Sequence, residues 1–355
     1  MKKIDINNNH YPWLDAFRFA AAFMVLICHS RHDMFVDYGL LPDCDKGLLT
    51  QVFYLLTRLG NEAVVIFFVI SGFLVGGRGI ERILVSDFKV KDYAVDRTVR
   101  IGIPLCTSIL FCIFVYILLD MEFSYLTAIG NLFSLQGILV NNLISPFWSL
   151  SYEVWFYILL LAFALSVKKH FSGLILMLIT CLVFLKLSPE YLLIWLLGAF
   201  AYLCRPQKYS RCVLIVSAIL MVSFAVLSNM AAESDSVKMP LVLNRSVFRL
   251  LMSLAVAVFI QQIILCVPQT TVSKRINKWG GYLADFSYTL YLSHRITLLL
   301  VFKFLFEKDK GTMCLNDIIA YILILVMCIS VSYTIYFFTE RHTNKAKHFI
   351  KSQLY

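Results

Sequence analysis

Charge is scarce in this chain: Asp, Glu, Lys and Arg together supply 15% of its 355 residues, against 60% hydrophobic and 15% aromatic. A soluble domain carries about 25% charged residues, so a water-soluble globule is excluded and a multi-pass membrane protein is indicated. Metal-ligand spacings such as C-x-x-C and H-E-x-x-H are missing, which argues against a bound metal. Despite a formal net charge of +10, no nucleic-acid-binding module is visible, and there is neither an internal repeat nor a low-complexity tract. The first apolar run also lacks the small residues of a signal-peptide cleavage site. It contains Arg18 and ends in Cys28-His29-Ser30-Arg31, so it reads as a retained span.

What is present is a series of apolar runs of the length a bilayer demands, about 20 residues. They cover 13–32, 52–76, 99–119, 148–167, 171–187, 191–204, 212–230, 246–266, 283–305 and 317–338, with a weaker stretch at 122–140. Ten crossings place Lys2, Lys3, the six Lys/Arg of 78–100, Lys168, Lys169, Arg205, Lys208, Arg211, Lys274, Arg275, Lys278, Arg341, Lys345, Lys347 and Lys351 on one side. The opposite side holds only Arg31, Lys46, Lys238, Arg245, Lys308 and Lys310. By the positive-inside rule the first side is cytoplasmic, both termini included. A crossing at 122–140 would destroy this bias, so that stretch reads as re-entrant or interfacial. The expected fold is all-α: a polytopic bundle of about ten transmembrane helices forming a single membrane-embedded domain over residues 1–355. Most of the ten cysteines fall inside apolar runs and pack as small hydrophobes. Cys44 and Cys314 fall in loops on the outer side, where a disulfide between them is one outcome if that face is oxidising.

Three stretches put polar groups where lipid penalises them. In "RFAAAFMVLICHSRH", Arg18 and His29 are eleven residues apart, three helical turns plus about 20°, so they share one face about 16 Å apart along the axis. Ionisable groups at such depth face a cavity or a partner. The blander alternative is that Arg18 snorkels to one surface and His29 sits among headgroups. In "SPFWSLSYEVWFYILL", Ser145-Pro146 marks a helix start, and Ser149, Glu153 and Tyr157 at i, i+4 and i+8 line one face. Glu153 then lies one to two turns below the outer surface, at the depth of His29, and an imidazole is the natural partner for it. In "DRTVRIGIPL", Arg97 and Arg100 stand i, i+3 at the inner mouth of a helix, where two guanidiniums can grip phosphate oxygens or simply obey the positive-inside rule.

These pieces, in this order, resemble the acyltransferase-3 family of integral-membrane O-acyltransferases. The likeness rests on "LDAFRFAAAFMVLICH", "FFVISGFL", "RTVRIGIPL" and "WSLSYEVWFYIL", and continues in "FSYTLYLSH" and "FFTERH". It departs from the family at Val65, where an acidic residue is common, and where prolines usually follow the late histidine (here Arg295 or Thr297) and the E-R pair (here His342). The resemblance implies transfer of an acyl group, usually acetyl, from cytosolic acetyl-CoA to a sugar hydroxyl of a surface or lipid-linked glycan across a bacterial inner membrane.

On that reading Arg18, Arg97 and Arg100 hold the anionic donor, His29 is general base and Glu153 orients it. An acetylated His29 in two half-reactions fits the same residues. Ser71, Ser149 and Tyr157 are secondary substrate contacts, and Trp148 anchors the interface or stacks on a sugar ring. From the residues alone a rival class stays open, a proton-coupled secondary transporter or exporter of a sugar-like substrate using Arg18, His29 and Glu153 as a proton relay. It gives the R-x-x-R element no task.

Overall fold

A computed structural model describes residues 11–233, 244–266, 270–305 and 310–354. The expected positions Lys2, Lys3, Lys238 and Lys308 lie outside the described residues. The described chain is helical, with two isolated β-bridges, Phe35 to Gly311 and Gln136 to Val140. In chain order the helices are α1 (Pro12–Met34), α2 (Leu48–Thr57), α3 (Gly60–Ser71), α4 (Arg78–Leu84), α5 (Val90–Leu118), α6 (Tyr125–Leu132), α7 (Trp148–Val167), α8 (Phe171–Lys186), α9 (Pro189–Leu203), α10 (Arg211–Glu233), α11 (Arg245–Ile263), α12 (Thr271–Asp285), α13 (Ser287–Leu305), α14 (Leu315–Phe338) and α15 (Thr343–Leu354).

The ten strong apolar runs are helical, with the 52–76 run divided among α2, α3 and a π-helical turn and the 283–305 run between the end of α12 and α13. Seven described segments are long and apolar enough to cross a bilayer, and α8 and α9 are shorter apolar helices. At 16 and 15 residues these two reach only about 24 Å at 1.5 Å per residue. In α13 the apolar run is interrupted by His294, Arg295 and Lys303. The protein is an all-α, multi-pass membrane bundle. Its outer faces are apolar where a soluble protein would be polar: Leu110, Phe114 and Ile117 on α5 and Leu174, Leu178 and Leu185 on α8 are all exposed. The 122–140 stretch holds only the eight residues of α6, about 12 Å of helix, too short to cross. Its return to α7 is pinned from within. The Asn131 amide donates to the carbonyls of Thr127 and Asn141 and accepts from the Leu143 amide, while Gln136 donates to the Phe147 carbonyl.

Two features position the functional residues. First, α3 runs into a π-helical turn, Gly72–Gly77, before α4, and this turn packs directly on α9. A Cβ on Gly72 would stand 2.0 Å from the Trp195 carbonyl oxygen, and one on Gly198 would stand 2.2 Å from that of Val69. No side chain larger than hydrogen fits at either crossing. Ser71 is thereby held at the turn, beneath the Trp195 indole. Second, the 271–285 segment is not a loop between spans but an amphipathic helix, α12, opened by a Thr270/Ser273 capping box. It crosses α1 closely, with Gly280 against Ala16. Its Trp279 and Tyr282 are exposed beside Lys274, Arg275 and Lys278, the pattern of a helix lying in the membrane interface. The expected helix start at Ser145–Pro146 takes the form of one 3₁₀ turn, Ser145–Phe147, leading into α7.

Candidate functional site

The arginines expected from sequence converge. Arg18 of α1 and Arg97 and Arg100 of α5 line one cavity of about 280 Å³, together with Ser71, Ser149, Glu153, Tyr288 and Tyr291. A second cavity of about 570 Å³ shares Asp15, Arg18 and Arg100 and adds Lys278 of α12 and Arg341 and Lys347 near the C-terminus. The two spaces therefore meet at Arg18 and Arg100, at the end of the bundle that carries Tyr11 and α15. Arg18 lies 3.7 Å from Asp15, one turn before it. The Arg97 guanidinium lies over the Tyr157 ring, 5.4 Å from its centroid, and its Nε is buried without a hydrogen-bond partner. Arg100 is exposed, but to the two cavities whose walls it forms.

A chain of hydroxyl groups runs beside these cations to the cavity wall. The Trp195 indole N–H donates to Ser71 Oγ at 3.3 Å, Ser71 and Tyr157 hydroxyls are 3.2 Å apart, and Tyr157 donates to Glu153 Oε1 at 2.5 Å. Because the indole can only donate and the carboxylate accepts from Tyr157, every proton in this chain points toward Glu153. Ser71 and Tyr157 thus fix the carboxylate of Glu153 in the wall of a cationic cavity. A turn further along, the Tyr291 hydroxyl lies 2.6 Å from Ser149 Oγ and donates to the Pro146 carbonyl.

The expected pairing of Glu153 with His29 does not form. Glu153 is one turn beyond Ser149 and has Tyr157 as its partner. His294 is almost one turn beyond Tyr291 on α13, which lies 6.1 Å from it ring to ring. It is His294 whose ring faces His29, with centroids 5.3 Å apart. The helices α7 and α13 run antiparallel past the Ser149–Tyr291 contact, so Glu153 and His294 lie on opposite sides of it. Equal depth estimated from helix starts was off by about that interval, and α13 occupies the place beside His29. Trp148 also lies outside the cavity, packed 5.3 Å from Tyr191 and edge-on to Phe68 and Tyr152. Cys44 and Cys314 are both exposed free thiols, so the considered disulfide is not formed.

Four further residues belong to the site. Tyr288, with its hydroxyl buried and unpartnered, and Tyr291 line the first cavity, and their three-residue spacing with His294 marks one stripe of α13. Glu340 accepts from the Thr289 amide and hydroxyl, capping the start of α13, and lines the second cavity. The signal for these four lies in "FSYTLYLSH" and "FFTERH", read as helical stripes.

A multi-pass helical membrane protein with a cation-lined cavity at one end and a histidine pair beyond it is the class that fold and site define. The sequence model of the acyltransferase-3 family, described as an acyltransferase domain, matches residues 11–337; the chain belongs to this family and is a membrane acyltransferase. No curated protein and no solved structure matches it.

Proposed function

We propose that this protein moves an acyl group, acetyl in the simplest case, from acyl-CoA to a sugar hydroxyl on the other side of a bacterial inner membrane. The acceptor is a surface glycan or its lipid-linked precursor. The observation that carries the reading is the junction of two cavities at Arg18 and Arg100, with Arg97, Lys278, Arg341 and Lys347 around it. Coenzyme A is a polyanion at one end and a neutral thin arm at the other. The wider basic space suits its phosphates, which guanidiniums bind with charge-assisted hydrogen bonds, and the narrower space suits the arm. The Lys/Arg excess at this end supports placing it in the cytoplasm.

The chemistry then divides by position. The arm points its thioester past Ser149 and Tyr291 toward the histidines. His29 accepts the proton of the acceptor hydroxyl as its oxygen attacks the thioester carbonyl carbon. The tetrahedral intermediate collapses, the carbon–sulfur bond breaks, and the thiolate of CoA takes the proton back from His29. The hydroxyls of Ser149 and Tyr291, bonded to each other and to the Pro146 carbonyl, line the path of the arm. Glu153 acts through the donor: it offsets part of the charge of three arginines and holds the cavity wall in shape through Tyr157 and Ser71. Incubating membranes that contain the protein with labelled acetyl-CoA tests the reading. Label in glycan or lipid-linked sugar, above membranes lacking the protein, is the expected result; no label in any glycan fraction contradicts it.

A further inference from the structure

His294 is fully buried in α13, and its two ring nitrogens have different surroundings. Nδ1 lies 3.0 Å from the Leu290 carbonyl oxygen. A carbonyl can only accept, so Nδ1 carries the hydrogen, and in a neutral ring the lone pair is left on Nε2. That Nε2 is buried and has no partner. A folded chain rarely leaves a buried acceptor unmatched, and each such atom calls for an explanation. The ring beside it is that of His29, tilted by 35° with centroids 5.3 Å apart. With His294 held by Leu290, rotation about the soft terminal torsion of His29 turns a His29 nitrogen toward Nε2.

Two charged groups near His29 do not take this role. The guanidinium of Arg295 can only donate, and the carboxylate of Asp33 is held by Arg295. The buried acceptor left unmatched beside a protonated His29 is Nε2 of His294. We infer that His294 is the positioning residue of the transfer reaction, fixing the tautomer of His29 and accepting a hydrogen bond from it while His29 holds the substrate proton. The inference rests on the acyl-transfer reading. As the acceptor oxygen forms its bond to the thioester carbon, its proton passes to the His29 nitrogen facing it, and the opposite N–H of His29 donates to His294 Nε2. When the carbon–sulfur bond breaks, the thiolate removes the proton from His29 and both rings are neutral again. A neutral partner does here what a carboxylate does in a hydrolase triad, without burying another charge.

The test compares His294→Asn and His294→Gln in the full chain. Asn sets a polar group near Nδ1 and keeps the bond to Leu290 while removing Nε2; Gln reaches the place of Nε2. His294→Asn is expected to lower kcat about 100-fold, with KM for acetyl-CoA within about twofold of the parent, and His294→Gln to recover about tenfold of the loss. Three results overturn the inference: an unchanged kcat in His294→Asn, a loss that Gln does not relieve, or a loss that tracks only the amount of folded protein in the membrane. If the parent is active, His29→Ala is inactive and His294→Asn is fully active, this inference alone falls. A parent that transfers no acyl group removes the acyl-transfer reading as well.

Discussion

The two ends of the bundle differ in their balance of charge. At the far end, acids and bases match in number, and two of the pairs are hydrogen-bonded. Glu62 is bonded by Ser228 and lies 3.8 Å from Arg245, Glu190 binds Arg249 at 2.8 Å, Asp33 holds Arg295, and Arg31 lies 3.6 Å from Asp37. At the end that carries Tyr11 and α15, Arg18, Arg78, Arg97, Arg100, Lys278, Arg341 and Lys347 face two cavities whose described lining holds four acidic side chains, Asp15, Glu153, Asp285 and Glu340; here Arg18 lies 3.7 Å from Asp15 and Lys347 3.6 Å from Asp96. Paired charges satisfy each other and hold helices together. A cationic surplus around an open space is stable only with water or an anion inside it. The contrast separates framework from binding site without any appeal to motif.

Substitutions can break that contrast. The largest expected effect is at neither cluster but between them: His29→Ala should lower acyl transfer about 10³-fold while the protein accumulates normally in the membrane, read by labelled acetyl transfer and immunoblot. Next, Glu62→Ala leaves Arg245 partly buried without its partner, which costs about 3 kcal/mol. It should lower the melting temperature of the detergent-solubilised protein and leave KM for acetyl-CoA unchanged. The smallest effect on folding and the sharpest on binding belong to Arg97→Ala with Arg100→Ala. Losing two charge-assisted contacts of about 1.5 kcal/mol each should raise KM for acetyl-CoA about 10²-fold, with the melting temperature held. A framework role for the arginines would reverse the last two outcomes.

The cationic half of this contrast is legible in the sequence, and the limits of that reading have a physical cause. Arg18 lines the cavity and His29 faces the histidine of another helix because helical periodicity fixes which face a residue shares. The R-x-x-R pair and the Ser149/Glu153/Tyr157 stripe were readable for the same reason. Periodicity does not fix which helix lies opposite. His29 and His294 are 265 positions apart, and only the assembled bundle sets α13 rather than α7 beside α1 at that level. The interfacial helix α12 was hidden because its apolar residues alternate with Lys274, Arg275 and Lys278, so no hydropathy run forms. The π turn after Ser71 was hidden too, since it comes from the close approach of Gly72 and Gly198 across two helices.

The central claim is spatial: the donor enters at the cationic end and the group emerges at the other. Sealed membrane vesicles of both orientations, with the acceptor glycan on the opposite side from added labelled acetyl-CoA, measure it directly. Label should reach the acceptor only when acetyl-CoA is on the face that carries Lys278, Arg341 and Lys347. Equal labelling from both faces, or labelling only from the far face, would contradict the account.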